Sequence, residues 1–242
     1  MVVMGVLFPT ETSAALKPAK GASASLKSRL LRINLAASSS PDCTSTVNAK
    51  EQSSSTVRRI RLASSWQDVA SALSDSNATS GDVAYALYRV GCLFCFMSEQ
   101  RRAALEASGM MARLGHLARE QLPRFTPRDV TLTLDAYARL AAKPQMKGLR
   151  PPPALLAGLS ARAGRLAHEL EASQLPLVIW ALGVLGCSEA EADMAALDKA
   201  VARRAADFSG QGVSLVLWAY CALRHHPSAH AWRRRMHPSQ RM

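Results

Sequence analysis

Aromatic residues make up only 5% of the 242 positions, and runs of the β-branched and aromatic residues that suit strands are scarce, which argues against a sheet-based fold. Cysteine is equally sparse. The five present, odd in number and irregularly spaced, exclude the disulfide framework of a small secreted domain and fit a reducing compartment. No apolar run reaches the roughly 18 residues that a membrane span needs, so no membrane partner is expected. The opening stretch Met1 to Phe8 is apolar but has no basic residue before it and is closed by Pro9, a poor secretory signal. With 13 glycines and 12 prolines the chain is neither collagen-like nor of low complexity. It also lacks a glycine-rich phosphate loop, a Gly-x-Ser-x-Gly elbow and a His-Glu-x-x-His helix. An enzyme is therefore not expected, nor a cofactor, a metal or a small-molecule substrate.

Alanine and leucine dominate the 48% of residues that are apolar. Both are strong helix formers, and the expected fold class is all-α. The formal net charge is +12, which points to an acidic partner or to a cationic leader. Its distribution separates these. Residues 1–61 carry nine basic and three acidic side chains, residues 62–223 carry 16 and 15, and residues 224–242 carry five and none. The excess lies in the two ends, and the middle of the chain is almost neutral.

Residues 1–61 are rich in Ser, Ala and Thr, basic and poor in acid, the composition of a disordered organelle transit peptide. Leu26, Leu30 and Ile33 lie close to one helical face with Lys27, Arg29 and Arg32 at its sides, a mitochondrial trait. The uncharged first ten residues look more like a plastid leader. The expected location is the chloroplast, with the mitochondrion as the alternative.

From Trp66 onward apolar residues recur at helical spacing, and a loose repeat appears within 62–235, followed by a basic tail at 236–242. Four segments share an Ala followed by Leu or Tyr and, three residues beyond that, Leu or Val. They are Tyr85-Ala86-Leu87 with Val90, Asp135-Ala136-Tyr137 with Leu140, Trp180-Ala181-Leu182 with Leu185, and Trp218-Ala219-Tyr220 with Leu223. The anchor alanines stand 50, 45 and 38 residues apart. Polar residues that can cap a helix precede each segment: Ser80 with Asp82, Thr126 before Pro127, Ser173, and Ser209. Phe125 and Phe208 occupy the same offset before Ala136 and Ala219. A second helix rich in Ala, Leu and Arg lies between anchors, at Met110 to Leu122, Ala154 to Leu170 and Ala192 to Phe208. Helical hairpins of this size, near 80–122, 125–170, 173–207 and 208–235, bury little alone and must stack, which predicts an α-solenoid.

Residues 149–186, LRPPPALLAGLSARAGRLAHELEASQLPLVIWALGVLG, resemble a unit of the octotricopeptide repeat family. Pro151, Pro152 and Pro153 match its opening turn, and Trp180, Ala181, Leu182, Leu185 and Gly186 match its closing helix. Phe125 to Leu140 and Phe208 to Leu223 are similar to the same helix. His226-Pro227 with Trp232 resembles the opening of one more unit. The family overlaps with the FAST-kinase-like leucine-rich helical proteins. The chain departs from the pattern at Asp135, where Trp is usual, and at an irregular insert around Met97 to Gly109. The resemblance implies binding of single-stranded organelle RNA in support of its processing, stability or translation, alongside RNA-processing or ribosomal proteins and without an enzymatic step.

Candidate RNA-contacting residues are the basic side chains of the second helices: Arg113, Arg119, Arg162, Arg165, His168, Arg203 and Arg204. Stacking would bring them into a stripe suited to a phosphate backbone. The competing reading is a solvated face paired with Glu120, Glu169 and Asp207. A protein-interaction scaffold, or a subunit of an organelle ribonucleoprotein, remains open as a different class. Cys92-Leu-Phe-Cys95 has the spacing of a zinc half-site, but no second pair follows, and Cys187 lies six residues after Ala181 as Cys92 lies six after Ala86, which favours a packing role. The histidines 225, 226, 230 and 237 are accompanied by no carboxylate or Cys and stand among arginines that would repel a divalent cation, so a metal site is not expected there. Arg233-Arg234-Arg235 reads as a phosphate contact or a solvated end.

Overall fold

Helix starts follow from short polar signals. In the computed structural model, which describes residues 55–74, 78–141, 146–187 and 191–225, Thr126 Oγ1 accepts from the Asp129 amide at 3.3 Å while the Asp129 carboxylate accepts from the Thr126 amide at 3.0 Å. This reciprocal box satisfies two amides that a helix start leaves bare. Thr79 and Asp82 repeat the arrangement, so the cap stands one residue before the expected Ser80. Ser209 caps the last helix by accepting from the Gly212 amide at 3.1 Å. Ser173 does not act as a cap: its hydroxyl turns to Glu171, and the helix that follows starts at Leu175 with Pro176 in its first turn, where no amide is needed.

The described residues form ten α-helices and no strand: α1 (Ser55–Leu62), α2 (Trp66–Ser74), α3 (Ser80–Phe96), α4 (Glu99–Ala107), α5 (Met110–Gln121), α6 (Pro127–Leu140), α7 (Pro153–Arg165), α8 (Leu175–Leu185), α9 (Glu191–Arg204) and α10 (Gly210–Leu223). They make a two-layer α-solenoid. The anchor helices α3, α6, α8 and α10 pack each against the next in one layer, and α5, α7 and α9 follow one another in the second. Neighbouring anchor helices run parallel. A methyl group on Gly91 would stand 3.0 Å from the Ala136 Cα, and one on Gly81 would stand 3.8 Å from Asp129, so both ends of α3 meet the matching ends of α6. Gly212 against Pro176 and Gly183 against Ala219 give the same sense for α8 and α10.

All four anchor alanines are fully buried, as are Phe125 and Leu170 at the turns into α6 and α8. Trp180 is buried, and the Trp218 ring edge reaches to within 3.4 Å of where a Gly183 methyl would lie, so the indole does fill space between units. Two features depart from the expected plan. The insert at 97–109 is itself a helix, α4, capped by Ser98 and tied to the Lys147–Leu149 turn by the Gly148 amide donating to Glu106 at 2.9 Å. The helical body also begins at Ser55 rather than 62. In α1 only Thr56 and Ile60 are buried, a pair one turn apart that is too short to show as periodicity, and the Arg89 guanidinium ties the turn after α1 to α3 through the Ala63 carbonyl, at 2.6 and 3.1 Å. The amphipathic segment at 26–33, the remaining leader residues and the tail beyond His225 lie outside the described residues.

Candidate nucleic-acid interface

Each second-layer helix ends on basic side chains, where they also complement the negative end of the helix dipole: Arg119 on α5, Arg162 and Arg165 on α7, and Arg203 and Arg204 on α9. Arg113, Arg119, Arg165 and Arg203 are exposed, Arg204 is half-buried, and His168 is exposed in the turn after α7. Of the carboxylates expected to neutralise them, Glu169 stands beside the candidate His168 at 3.6 Å and Glu120 beside His116 at 3.5 Å. Among the described residues no carboxylate pairs with Arg113, Arg119, Arg165 or Arg203.

Arg162 has a different job. Its Nε and one terminal nitrogen donate to the Phe125 carbonyl at 3.0 and 2.8 Å, across 37 residues of chain. The side chain therefore clamps α7 to the turn that opens α6, and this fork is withdrawn from any ligand. Nor do the basic side chains form a level row. Gly164, beside Arg165, packs against Asp193 in the first turn of α9, and Gly158 in the first half of α7 meets Leu122 at the end of α5. The end of α7 meets the first turn of α9, so Arg165 lies nearer the start of α9 than its end, where Arg203 stands. Exposed Arg124, Lys199 and His116 join this surface. Arg124 lies in the turn after α5 and Lys199 and His116 on α9 and α5, at positions that do not recur from unit to unit and so leave no repeat signal in the sequence.

Two buried polar clusters sit inside the stack. Between α3 and α6, Asp135 and Arg139 form a largely buried ion pair at 2.9 Å, with the guanidinium 5.9 Å from the centre of the Tyr88 ring. Burial pushes the Asp135 carboxyl above its usual range, and the pull of Arg139 opposes this. Cys92 and Cys95 border the same cluster, half-buried. Burial raises both thiols, leaving little of the thiolate that binds metal or attacks substrates. No group of three metal-ligating side chains occurs among the described residues. Asp135 thus forms its ion pair within α6, and Tyr88 reaches the Arg139 guanidinium from α3.

The second cluster closes the C-terminal end. Arg224 adopts a left-handed conformation, φ 53°, and turns the chain back so that the His225 amide donates to the Tyr220 carbonyl at 2.9 Å. His225 Nε2 then lies 2.8 Å from Asp198 Oδ2 of α9, while the Tyr220 hydroxyl donates to Asp198 Oδ1 at 2.8 Å. A carboxylate does accompany His225 after all. It arrives from another helix, and its two oxygens are taken up by Tyr220 and His225, a brace between α9 and α10.

No protein-family profile, curated protein or solved structure matches this chain. No helix among the described residues is long and apolar enough to cross a membrane.

Proposed function

We propose that the protein is an RNA-binding helical-repeat protein of an organelle, a plastid before a mitochondrion, that supports the processing, stability or translation of transcripts without a catalytic step. The observation that carries this reading is the set of exposed arginines on successive second-layer helices, Arg113, Arg119, Arg165 and Arg203, with no carboxylate partner among the described residues. Unpaired guanidinium groups on stacked units are suited to phosphates spaced along a single strand. Arg204 and His168 flank this set, and Arg162 is a structural clamp outside it.

The near-neutral body makes these few positions decisive. In filter binding with labelled single-stranded RNA of random sequence, the affinity should fall steeply with salt. Replacing Arg113, Arg165 and Arg203 together by Ala should reduce the slope of log affinity against log salt by about 2, since each single-strand phosphate contact contributes about 0.7. An unchanged slope removes these residues from the interface. Crosslinking in the organelle that recovers protein contacts and no RNA would instead support a protein-interaction scaffold.

A further inference from the structure

The arginines of the second layer stand among side chains that have no means of recognising a base. α5, α7 and α9 carry no Phe, Tyr, Trp, Asn or Thr, and their uncharged hydrogen-bonding side chains, histidine aside, are Gln121 and Ser160. Ser160 is 1% exposed, and Gln121 is half-buried at the end of α5. What lines the helices beside the arginines is mostly alanine. On the same face, one and two turns earlier, Arg165 follows Ala161 and Ala157, Arg203 follows Lys199 and Ala195, and Arg119 follows His116 and Ala112. Ala161 is half-buried and the others are exposed. Helical repeats that read a single strand meet each base with polar or stacking side chains. A methyl group offers neither.

Other polar groups nearby are committed to the fold. The Thr126 and Ser209 hydroxyls, in the turns that leave α5 and α9, cap the next helix, and the Ser173 hydroxyl, beyond α7, donates to Glu171 at 3.4 Å. Asp198 is held by Tyr220 and His225, Asp193 lies against Gly164, and Glu120 stands 3.5 Å from His116. A guanidinium can itself read guanine through paired hydrogen bonds, but its planar fork must then be held at a set angle by a fixed partner. Arg162 is fixed in this way, and its fork is directed at the Phe125 carbonyl. Arg113, Arg119, Arg165 and Arg203 have no carboxylate partner among the described residues, so each can follow a phosphate over a range of positions. We infer, resting on the RNA-binding reading above, that the face of α5, α7 and α9 holds the sugar–phosphate chain of single-stranded RNA without reading its bases. Its ligand is RNA of any sequence, and the choice of transcript lies outside these three helices.

The test compares binding of the full chain to unstructured RNAs of equal length, oligouridine, oligocytidine and a mixed sequence, at one salt concentration. Their dissociation constants should agree within about threefold, since a base recognised by a good hydrogen-bonded pair changes affinity by roughly tenfold. RNA recovered from a random pool should keep the base composition of that pool. Replacing Arg113, Arg165 and Arg203 together by Lys keeps the charges and removes the forks, so affinity and salt slope should hold within about twofold. A preference of about tenfold, an enriched motif, or a comparable loss in the lysine variant at unchanged slope overturns this inference and leaves RNA binding standing. Failure to bind any of these RNAs overturns both. An unchanged slope in the triple alanine variant places the binding elsewhere and overturns this inference as well.

Discussion

Gly183 of α8 and Ala219 of α10 meet so closely that a methyl group on Gly183 would lie 3.0 Å from both the Cα and the Cβ of Ala219. Backbone lies on both sides of the contact, and neither helix can yield by rotating a side chain. Gly183→Ala should therefore lower stability even though alanine favours helix by about 1 kcal/mol over glycine, and Ala219→Leu should cost roughly 1–3 kcal/mol through overpacking. Gly210, with no atom within 4 Å of its would-be methyl, is the control: Gly210→Ala should be neutral or slightly stabilising. Urea unfolding of the three variants checks the order.

Two tyrosines should respond to the same change in opposite directions. The Tyr220 hydroxyl donates to the buried Asp198 carboxylate, so Tyr220→Phe strips one hydrogen bond from a charged group and should cost about 1.5–3 kcal/mol. The Tyr137 hydroxyl is buried without a hydrogen-bond partner among the described residues. Tyr137→Phe removes a polar atom that gains nothing from burial, and melting temperature should hold or rise.

Arg162 and Arg165 stand three residues apart on α7, yet only the first is tied to the fold. Arg162→Ala leaves the Phe125 carbonyl without its two donors and should cost about 1–3 kcal/mol, with the salt slope of RNA binding unchanged once the protein is folded. Arg165→Ala should do the reverse: unchanged melting and a shallower slope. Thermal melts and filter binding on both variants separate the roles.

The buried pair at α6 should leave a pH signature. Burial raises the Asp135 carboxyl above its ordinary 3.8, so the folded chain holds this proton more tightly than the unfolded one. The stabilising contribution of that proton is fully present below 3.8 and is lost as pH rises through the folded value. Asp135→Asn cannot titrate. Whatever constant cost it brings by leaving Arg139 without its carboxylate, the stability of wild type relative to the variant should fall as pH rises above 3.8. Urea unfolding in a pH series measures the difference, and a rising one would contradict the direction given for Asp135.

Much of the architecture was legible because its signals are short in sequence. The Thr126 and Asp129 box, the Ser209 cap and the spacing of Ala86, Ala136, Ala181 and Ala219 each depend on residues within a turn or two, and they mark the hairpins and their tendency to stack. The exposed arginines of the second helices could be listed in the same way. Ser173 was misread because a serine two residues before a helix has a competing local partner, Glu171. α1 escaped notice because two buried residues make no period.

What stayed hidden was set by distance along the chain. Arg162 reaches the Phe125 carbonyl across 37 residues, His225 reaches Asp198 across 27, and Arg89 reaches Ala63 across 26. Helical spacing places a side chain on a face of its own helix, but the axial stagger and approach of neighbouring helices decide what that face meets. Composition and periodicity were thus enough for an all-helical stack of hairpins. Which arginines are clamps and which are free emerged only from the packing of one helix against the next, because close contacts such as Gly183 with Ala219 fix where each helix lies.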